Sequence, residues 1–97
     1  MSETSPENCH TFSLEVSNKM GVHARPAAMI VRIASHFPGE IWVTKKDGER
    51  VNAKSIMGIM MLAAASGSEL SFECSSDVAS EFEQQMTDLF ASKFQDE

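Results

Sequence analysis

Residues 21–39 read GVHARPAAMIVRIASHFPG, and this stretch decides the fold because it sets where a helix begins and where it ends. From Ala24 to His36 the apolar residues recur at intervals of three and four, as on one face of an amphipathic helix. They are Ala27, Ala28, Ile30, Val31 and Ala34. Phe37-Pro38-Gly39 ends the helix, since proline cannot continue it and glycine tolerates the exit geometry.

The flanking sequence predicts four strands and two more helices. On the N-terminal side Phe12, Leu14 and Val16 alternate with polar residues, which is typical of a half-buried strand. The remaining expected elements are a strand at 41–44, a hairpin turn at 46–49, a weaker return strand at 50–53, a helix at 56–65 closed by Gly67, a strand at 70–74 and a helix from Val78 to Phe94. The order β-α-β-β-α-β-α favours an α+β fold in which three helices cover one face of a four-stranded antiparallel sheet.

The composition indicates one small acidic domain. The 97 residues carry 8 Lys and Arg against 14 Asp and Glu, a formal charge of −6. A chain of this length buries one core, so a single domain is expected at residues 10–94, between a flexible tail at 1–9 and a disordered acidic tail at 95–97. The negative charge argues against nucleic acid or an anionic membrane as a partner. The sequence shows no membrane span or secretory signal, so we expect a cytoplasmic protein, and the small size and the charge favour a monomer.

Thiols and metal ligands are sparse. Cys9 and Cys74 are too few for a disulfide framework, and we expect both to be reduced. The histidines at positions 10, 23 and 36 show no ligand spacing, so no metal site is expected.

The residues around His23 carry the most chemical information. His23 lies at the start of the helix, where main-chain N–H groups without partners favour an anion. The positive helix end also favours a neutral imidazole with a free lone pair. Arg25 can reach a phosphoryl oxygen beside the ring as a charge-assisted donor, and Pro26 stiffens the first turn. The arrangement suits transient capture of a phosphoryl group on His23. The alternative is a histidine that merely caps a helix beside an exposed arginine.

Two motifs resemble those of HPr, the histidine phosphocarrier of the bacterial phosphotransferase system. They are GVHARPAA at 21–28 and NAKSIMGIMMLAAASG at 52–67, and the resemblance extends over about residues 11–94. It implies an open-faced β-sandwich, His23 as the residue phosphorylated at Nδ1, and Arg25 beside it. It also implies enzyme I as the donor, an IIA-type domain as the acceptor, and no bound cofactor. Where several family members have Asn or Ser, this chain has Met20, so a polar group near the ring is missing or supplied otherwise.

The family fold also bears on the two cysteines. It implies that the first and last strands pair antiparallel, which could bring Cys9 near Cys74 and permit an adventitious disulfide or metal.

Ser55 has two predicted roles. Locally it is a helix N-cap, whose hydroxyl bonds an N–H group of the first turn. The resemblance adds regulatory phosphorylation by HPr kinase/phosphorylase, which would add roughly −1.5 to −2 charges beside an apolar surface. Such a phosphate is expected to change docking and not folding, because a helix N-terminus tolerates negative charge.

The helix that follows Ser55 has too many apolar residues for its solvent-exposed face to be fully polar. Some of its residues must pack on the sheet, and we expect the others to form an exposed docking patch with the His23 region. The predicted docking residues are Val22, Ile56, Met57 and Met60. Two alternatives remain open at this point: a mainly regulatory module controlled through Ser55, and an adaptor domain with an incidental His–Arg pair.

Overall fold

In a computed structural model, which describes residues 8–96, four strands and three helices follow one another in the predicted order. The elements are β1 (Cys9–Glu15), α1 (Ala24–Ser35), β2 (Trp42–Lys45), β3 (Arg50–Asn52), α2 (Ile56–Met61), β4 (Glu69–Ser75) and α3 (Ser76–Ala91), with a final one-turn segment at Lys93–Gln95. The strand order in the sheet is β1-β4-β2-β3, and all neighbouring strands are antiparallel. The predicted α+β class is confirmed.

The core lies between the helices and one face of the sheet. Phe12 of β1 stands opposite Phe72 of β4, and their rings stack with centroids 5.4 Å apart. Phe82 of α3 meets both rings edge-on, at 5.7 Å and 6.0 Å. Each fully buried phenylalanine contributes roughly 1.5–3 kcal/mol of transfer free energy, so this cluster holds α3 on the sheet. On the other face, the guanidinium of Arg50 lies over the ring of Trp42, at 4.2 Å.

Helix α2 is shorter than predicted, ending at Met61 instead of residue 65. Leu62 is its C-cap, and Ala63 takes a left-handed conformation with φ of 51°. The reason is tertiary, because the oxygen of Ala64 accepts a hydrogen bond from the main-chain N–H of Val22 at 2.9 Å.

Strand β1 begins earlier than predicted, and its register with β4 sets Cys9 one position away from a direct pairing with Cys74. Cys9 is the first residue of β1, so the expected flexible tail does not extend to it; residues 1–7 of that tail lie outside the described residues. In the β1–β4 register Cys9 stands opposite Ser75, while His10 stands opposite Cys74. Since successive side chains of a strand point to opposite faces, the two thiols lie on different faces of the sheet. They are therefore not a direct cross-strand pair, and both are free, although they are close enough for Cys9 to add to the raising of the Cys74 pKa.

Candidate phosphoryl-accepting site

His23 is the N-cap residue of α1. Its backbone is extended, with φ of −88° and ψ of −164°, and its oxygen accepts from the main-chain N–H of Ala27 at 2.9 Å. Its side chain makes no capping hydrogen bond and is 34% exposed. The first-turn N–H groups at Ala24 and Arg25 have no acceptor within the helix. The ring is thus accessible beside an anion-binding helix end and has no capping role, which argues against the interpretation of His23 as a mere cap.

The loop before His23 is fixed by a close approach at Gly21. Gly21 has φ of +72°, and a Cβ atom there would lie 2.6 Å from the main-chain oxygen of Ala64. The adjacent bond from Val22 to Ala64 joins this loop to the segment after α2. Asn18, which is fully buried, donates from Nδ2 to the oxygen of Gly21 at 2.8 Å. These contacts determine where α1 begins and so where the imidazole stands.

Asp96 is the site residue that sequence reasoning missed. Its Oδ2 lies 3.0 Å from Nε2 of His23 and accepts from Nδ2 of Asn18 at 2.8 Å. Its Oδ1 accepts from Nη1 of Arg25 at 3.3 Å, and the carboxylate is only 12% exposed. The prediction of a disordered acidic tail is therefore wrong for residues 95 and 96, while Glu97 lies outside the described residues.

Hydrogen bonds from His23 and then from Asn18 are the main causes that hold the pKa of the Asp96 carboxyl below its usual value. The charges of His23 and Arg25 add to the lowering, while partial burial opposes it. The group is therefore a carboxylate at neutral pH and accepts hydrogen bonds only.

Arg25 shares the Asp96 carboxylate with His23, and its other partners are on the C-terminal turn. Nη1 donates to the main-chain oxygen of Phe94 and Nη2 to that of Gln95, both at 3.1 Å. With the bond to Asp96, these use three of the five N–H donors of the guanidinium and leave two for a ligand. The side chain is half exposed, so an incoming anion can reach it.

An unusual backbone brings Asp96 to the site. Helix α3 ends at Ala91, three residues before the predicted end, and Lys93, Phe94 and Gln95 then adopt positive φ of 56°. Left-handed backbone costs about 1–2 kcal/mol for each residue other than glycine. Phe94 helps to offset this, since it is fully buried and its ring meets that of Phe90 at 4.8 Å. The apolar Phe94 was the only sequence signal that this end of the chain packs on the domain.

Among the described residues no group of three or more His, Cys, Asp or Glu side chains could hold a metal ion. None of the helices in residues 8–96 is long and apolar enough to cross a membrane.

A family model described as "PTS HPr component phosphorylation site" matches residues 10–92. This chain belongs to the HPr family. The phosphocarrier protein HPr of Neisseria meningitidis serogroup A is 46% identical over 82 residues, which cover 84% of this chain and 91% of that protein. The crystal structure of HPr from Thermoanaerobacter tengcongensis superimposes with a TM-score of 0.80 and 44% identity, over 91% of this chain and 98% of that one. The resemblance inferred from the two motifs is confirmed, and so is the open-faced sandwich.

A regulatory relative is also similar. The Bacillus subtilis catabolite repression protein Crh, described as a dimer with a swapped domain, superimposes with a TM-score of 0.54 and 35% identity, over 98% of this chain and 94% of that one. The family match includes His23, Arg25 and Ser55 but ends before Asp96.

In the HPr fold of this chain, Ser55 is the N-cap of α2, as predicted. Its Oγ accepts from the main-chain N–H of Gly58 at 3.0 Å. The ammonium group of Lys54 donates to the oxygens of Phe37 and Gly39, at 2.6 Å and 2.7 Å, and so ties the start of α2 to the turn after α1. Ser55 is partly exposed.

The HPr fold exposes an apolar surface on α2 and on the loop before His23, which we call the methionine patch. It comprises Met20, Ile56, Met57, Met60 and Met61. Three of the four predicted docking residues belong to it, and Met57 is 71% exposed. Val22 does not, since its side chain is buried in the core, and its expected direct role in docking is wrong. Met61 was not predicted, because the rotation of a short helix cannot be read from a run of apolar residues, and Met20, on the loop before His23, was not predicted either.

Proposed function

We propose that this protein carries a phosphoryl group on His23, which it accepts from phosphorylated enzyme I and passes to an IIA-type domain. The observation that carries the proposal is the accessible imidazole of His23 at the N-terminus of α1, joined to Arg25 through one shared carboxylate. An incidental His–Arg pair would not require this arrangement.

The transfer is an in-line displacement. Nδ1 of His23 attacks the phosphorus held by the donor histidine, and the electron pair of the breaking P–N bond returns to the donor ring. The N–H groups of the first turn of α1 and the two unused N–H donors of Arg25 hold the phosphoryl oxygens. The carrier contributes the nucleophile and the anion site, and the reaction requires no bound cofactor from it.

The test is the intact mass of the protein after incubation with enzyme I, Mg²⁺ and phosphoenolpyruvate. We expect a gain of one phosphoryl group that is labile to acid and absent in His23→Ala. His36→Ala is the matched control, because His36 lies at the other end of α1 and its ring bonds the oxygen of Arg32. A folded wild-type protein that gains no mass from an active donor would refute the proposal.

The methionine patch supports docking of both partners around the site. Methionine side chains adapt to different surfaces, and large exposed apolar areas are uncommon on proteins without a partner. Met57→Glu should therefore slow transfer while leaving the thermal unfolding midpoint nearly unchanged. Ser80→Glu, which places the same charge at an exposed position of α3, should change neither. Unfolding of Met57→Glu at a clearly lower temperature would show that Met57 supports the core instead.

Ser55 supports a second, regulatory level. A phosphate on its hydroxyl would lie at the N-terminus of α2 and beside Ile56 and Met57, where its charge hinders apolar docking but not folding. We expect HPr kinase/phosphorylase with ATP and Mg²⁺ to phosphorylate wild type and not Ser55→Ala, and the product to accept phosphoryl from enzyme I more slowly. Unchanged transfer by the Ser55-phosphorylated protein would contradict this role.

A mainly regulatory protein is the second candidate, favoured by the similarity to Crh. The two candidates differ in what happens at His23, because a regulator needs Ser55 phosphorylation but no phosphohistidine. We also propose a cytoplasmic monomer, which sedimentation equilibrium tests against the swapped dimer described for Crh.

A further inference from the structure

We propose that Asp96 is a positioning residue that holds His23 as the Nε2–H tautomer and so leaves the attacking lone pair on Nδ1. The inference rests on the proposed phosphocarrier function and explains which ring nitrogen reacts. Nothing in the family match covers Asp96, since that match ends at residue 92.

The direction of the His23–Asp96 hydrogen bond follows from the other partners of the carboxylate. Asn18 and Arg25 both donate to it, so both of its oxygens already act as acceptors. A carboxylate has no hydrogen to donate, so the hydrogen in the 3.0 Å contact belongs to Nε2 of His23. In a neutral imidazole the second nitrogen then carries the lone pair, and a partner on one ring nitrogen sets the state of the other. Nδ1 has no hydrogen-bond partner among residues 8–96, so this lone pair is free to attack.

The amide of Asn18 fixes the position of the carboxylate. Its Nδ2 bonds both the oxygen of Gly21 and Oδ2 of Asp96 at 2.8 Å, and two acceptors identify this atom as nitrogen. Asn18 is fully buried, and its Oδ1 has no partner in the described part of the chain. A buried amide with an unpaired oxygen calls for an explanation, and here its NH₂ group orients Asp96. Met20 is exposed nearby, so Asn18 and Asp96 supply the polar groups beside the ring.

The backbone of the C-terminal turn supports the same role. Three consecutive residues other than glycine have positive φ, at Lys93, Phe94 and Gln95. Such strain persists only where surrounding contacts hold it, and it concentrates at functional sites. The contacts here are the buried ring of Phe94 and the two bonds from Arg25 to the turn, and their result is to place Asp96 against His23.

The chemistry is that of an oriented histidine nucleophile. As the bond from Nδ1 to phosphorus forms and the donor P–N bond breaks, the ring of His23 gains positive charge while Nε2 keeps its hydrogen. The carboxylate stabilises this charge and does not take the proton, as the aspartate of a catalytic triad does for its histidine. Asp96 therefore touches neither the phosphoryl group nor the donor and acts through His23.

The first readout is the tautomer of His23, measured without any donor by long-range ¹H–¹⁵N correlation NMR at a pH where the ring is neutral. The His23→Ala spectrum assigns the signals. We expect wild type to be the Nε2–H tautomer. In Asp96→Asn the amide cannot accept from all three groups, since its nitrogen meets Nη1 of Arg25 at the Oδ1 position, or Nδ2 of Asn18 and Nε2 of His23 at the Oδ2 position. Even with its oxygen toward Nε2, a neutral amide accepts less strongly than a carboxylate, so the share of the Nδ1–H tautomer should rise in this variant. Asp88→Asn, at an exposed position of α3 where the carboxylate bonds only Gln84, should match wild type.

The second readout is the rate of phosphoryl acceptance. Asp96→Asn should be at least roughly tenfold slower than wild type, as when the partner that orients a histidine is removed. Asp96→Ala, which removes the acceptor altogether, should also be slower than wild type.

A merely structural Asp96 would behave differently, since a folded Asp96→Asn variant would then keep the wild-type tautomer. An Nδ1–H tautomer in wild type, or an Asp96→Asn variant with wild-type tautomer and rate, overturns the proposal. A wild-type protein that accepts no phosphoryl refutes the proposed function instead, and the NMR result then still decides the role of Asp96.

Discussion

Replacing Gly21 with alanine tests the contact that positions His23. Two effects of the added methyl group can be separated. The backbone at Gly21 has φ of +72°, and an L residue there costs about 1–2 kcal/mol. The new Cβ would also lie 2.6 Å from the oxygen of Ala64 and 3.0 Å from Cα of Ala65. Both neighbours are backbone atoms, so the two loops must separate, and overpacking of this kind costs about 1–3 kcal/mol.

The expected loss of unfolding free energy is therefore about 2–5 kcal/mol for Gly21→Ala. Gly67→Ala is the matched control, since its φ is +94° but a Cβ atom there meets nothing within 4 Å. That variant should lose only the backbone contribution, about 1–2 kcal/mol. Gly39, with φ of +84° and equally open space, provides a second control.

Urea unfolding of the three variants measures both quantities, because the free energy extrapolates linearly to zero denaturant. The excess loss in Gly21→Ala is the contribution of the close approach. At about 4–8 °C per kcal/mol for a domain of this size, an excess of about 1–3 kcal/mol also separates the melting curves clearly. Phosphoryl acceptance should fall in Gly21→Ala alone, since the bond from Val22 to Ala64 is disturbed there. Equal destabilisation of Gly21→Ala and Gly67→Ala would refute the reasoning.

Three further predictions concern single groups. Ser55→Ala should lose about 1 kcal/mol of unfolding free energy, because the hydrogen bond from Gly58 to the Ser55 hydroxyl is removed. Ser55→Asp keeps an acceptor and should lose less. Equal losses of the two variants in chemical denaturation would contradict the capping role. The pKa of Asp96 is lowered in the folded protein, so its carboxylate stabilises the fold at pH values above the unfolded pKa of about 3.9. This contribution disappears as the pH falls through the folded pKa. The stability difference between wild type and Asp96→Asn should therefore shrink in acid, and a difference that grows below about pH 4 would be inconsistent with it. Burial is the main cause that raises the pKa of the Cys74 thiol to about 11. Iodoacetamide at neutral pH should therefore label Cys9 well before Cys74, as measured by peptide mass mapping. Equal labelling of the two thiols would show that Cys74 is open to solvent.

Local periodicity was enough to predict most of the fold. The alternation at Phe12 and Leu14 and the three-four spacing after Ala24 depend only on which face of a strand or helix is buried. The order of elements and the chemistry of His23 and Arg25 follow from neighbouring residues in the same way. Such patterns failed at the end of α2, where the apolar residues continue but the oxygen of Ala64 is bound by Val22.

The rotation of α2 illustrates a second limit. Its sequence is apolar all round, so the pattern shows that some side chains must be exposed but not which ones. Packing of Ile59 against the core decides this and turns Met57 and Met61 outward. Val22 was misjudged for the same kind of reason, since the loop that carries it folds onto the core.

The amino-acid sequence by itself determined the α+β architecture, the family and the presence of a histidine and an arginine at the start of a helix. All three depend on residues that are close together in the chain. Only the tertiary structure decided that Asp96 completes the site, because it lies 73 positions from His23 and arrives through a left-handed turn that no local pattern at Lys93–Gln95 favours. A contact of that separation depends on how α3 packs on the sheet, and that packing is a property of the whole core.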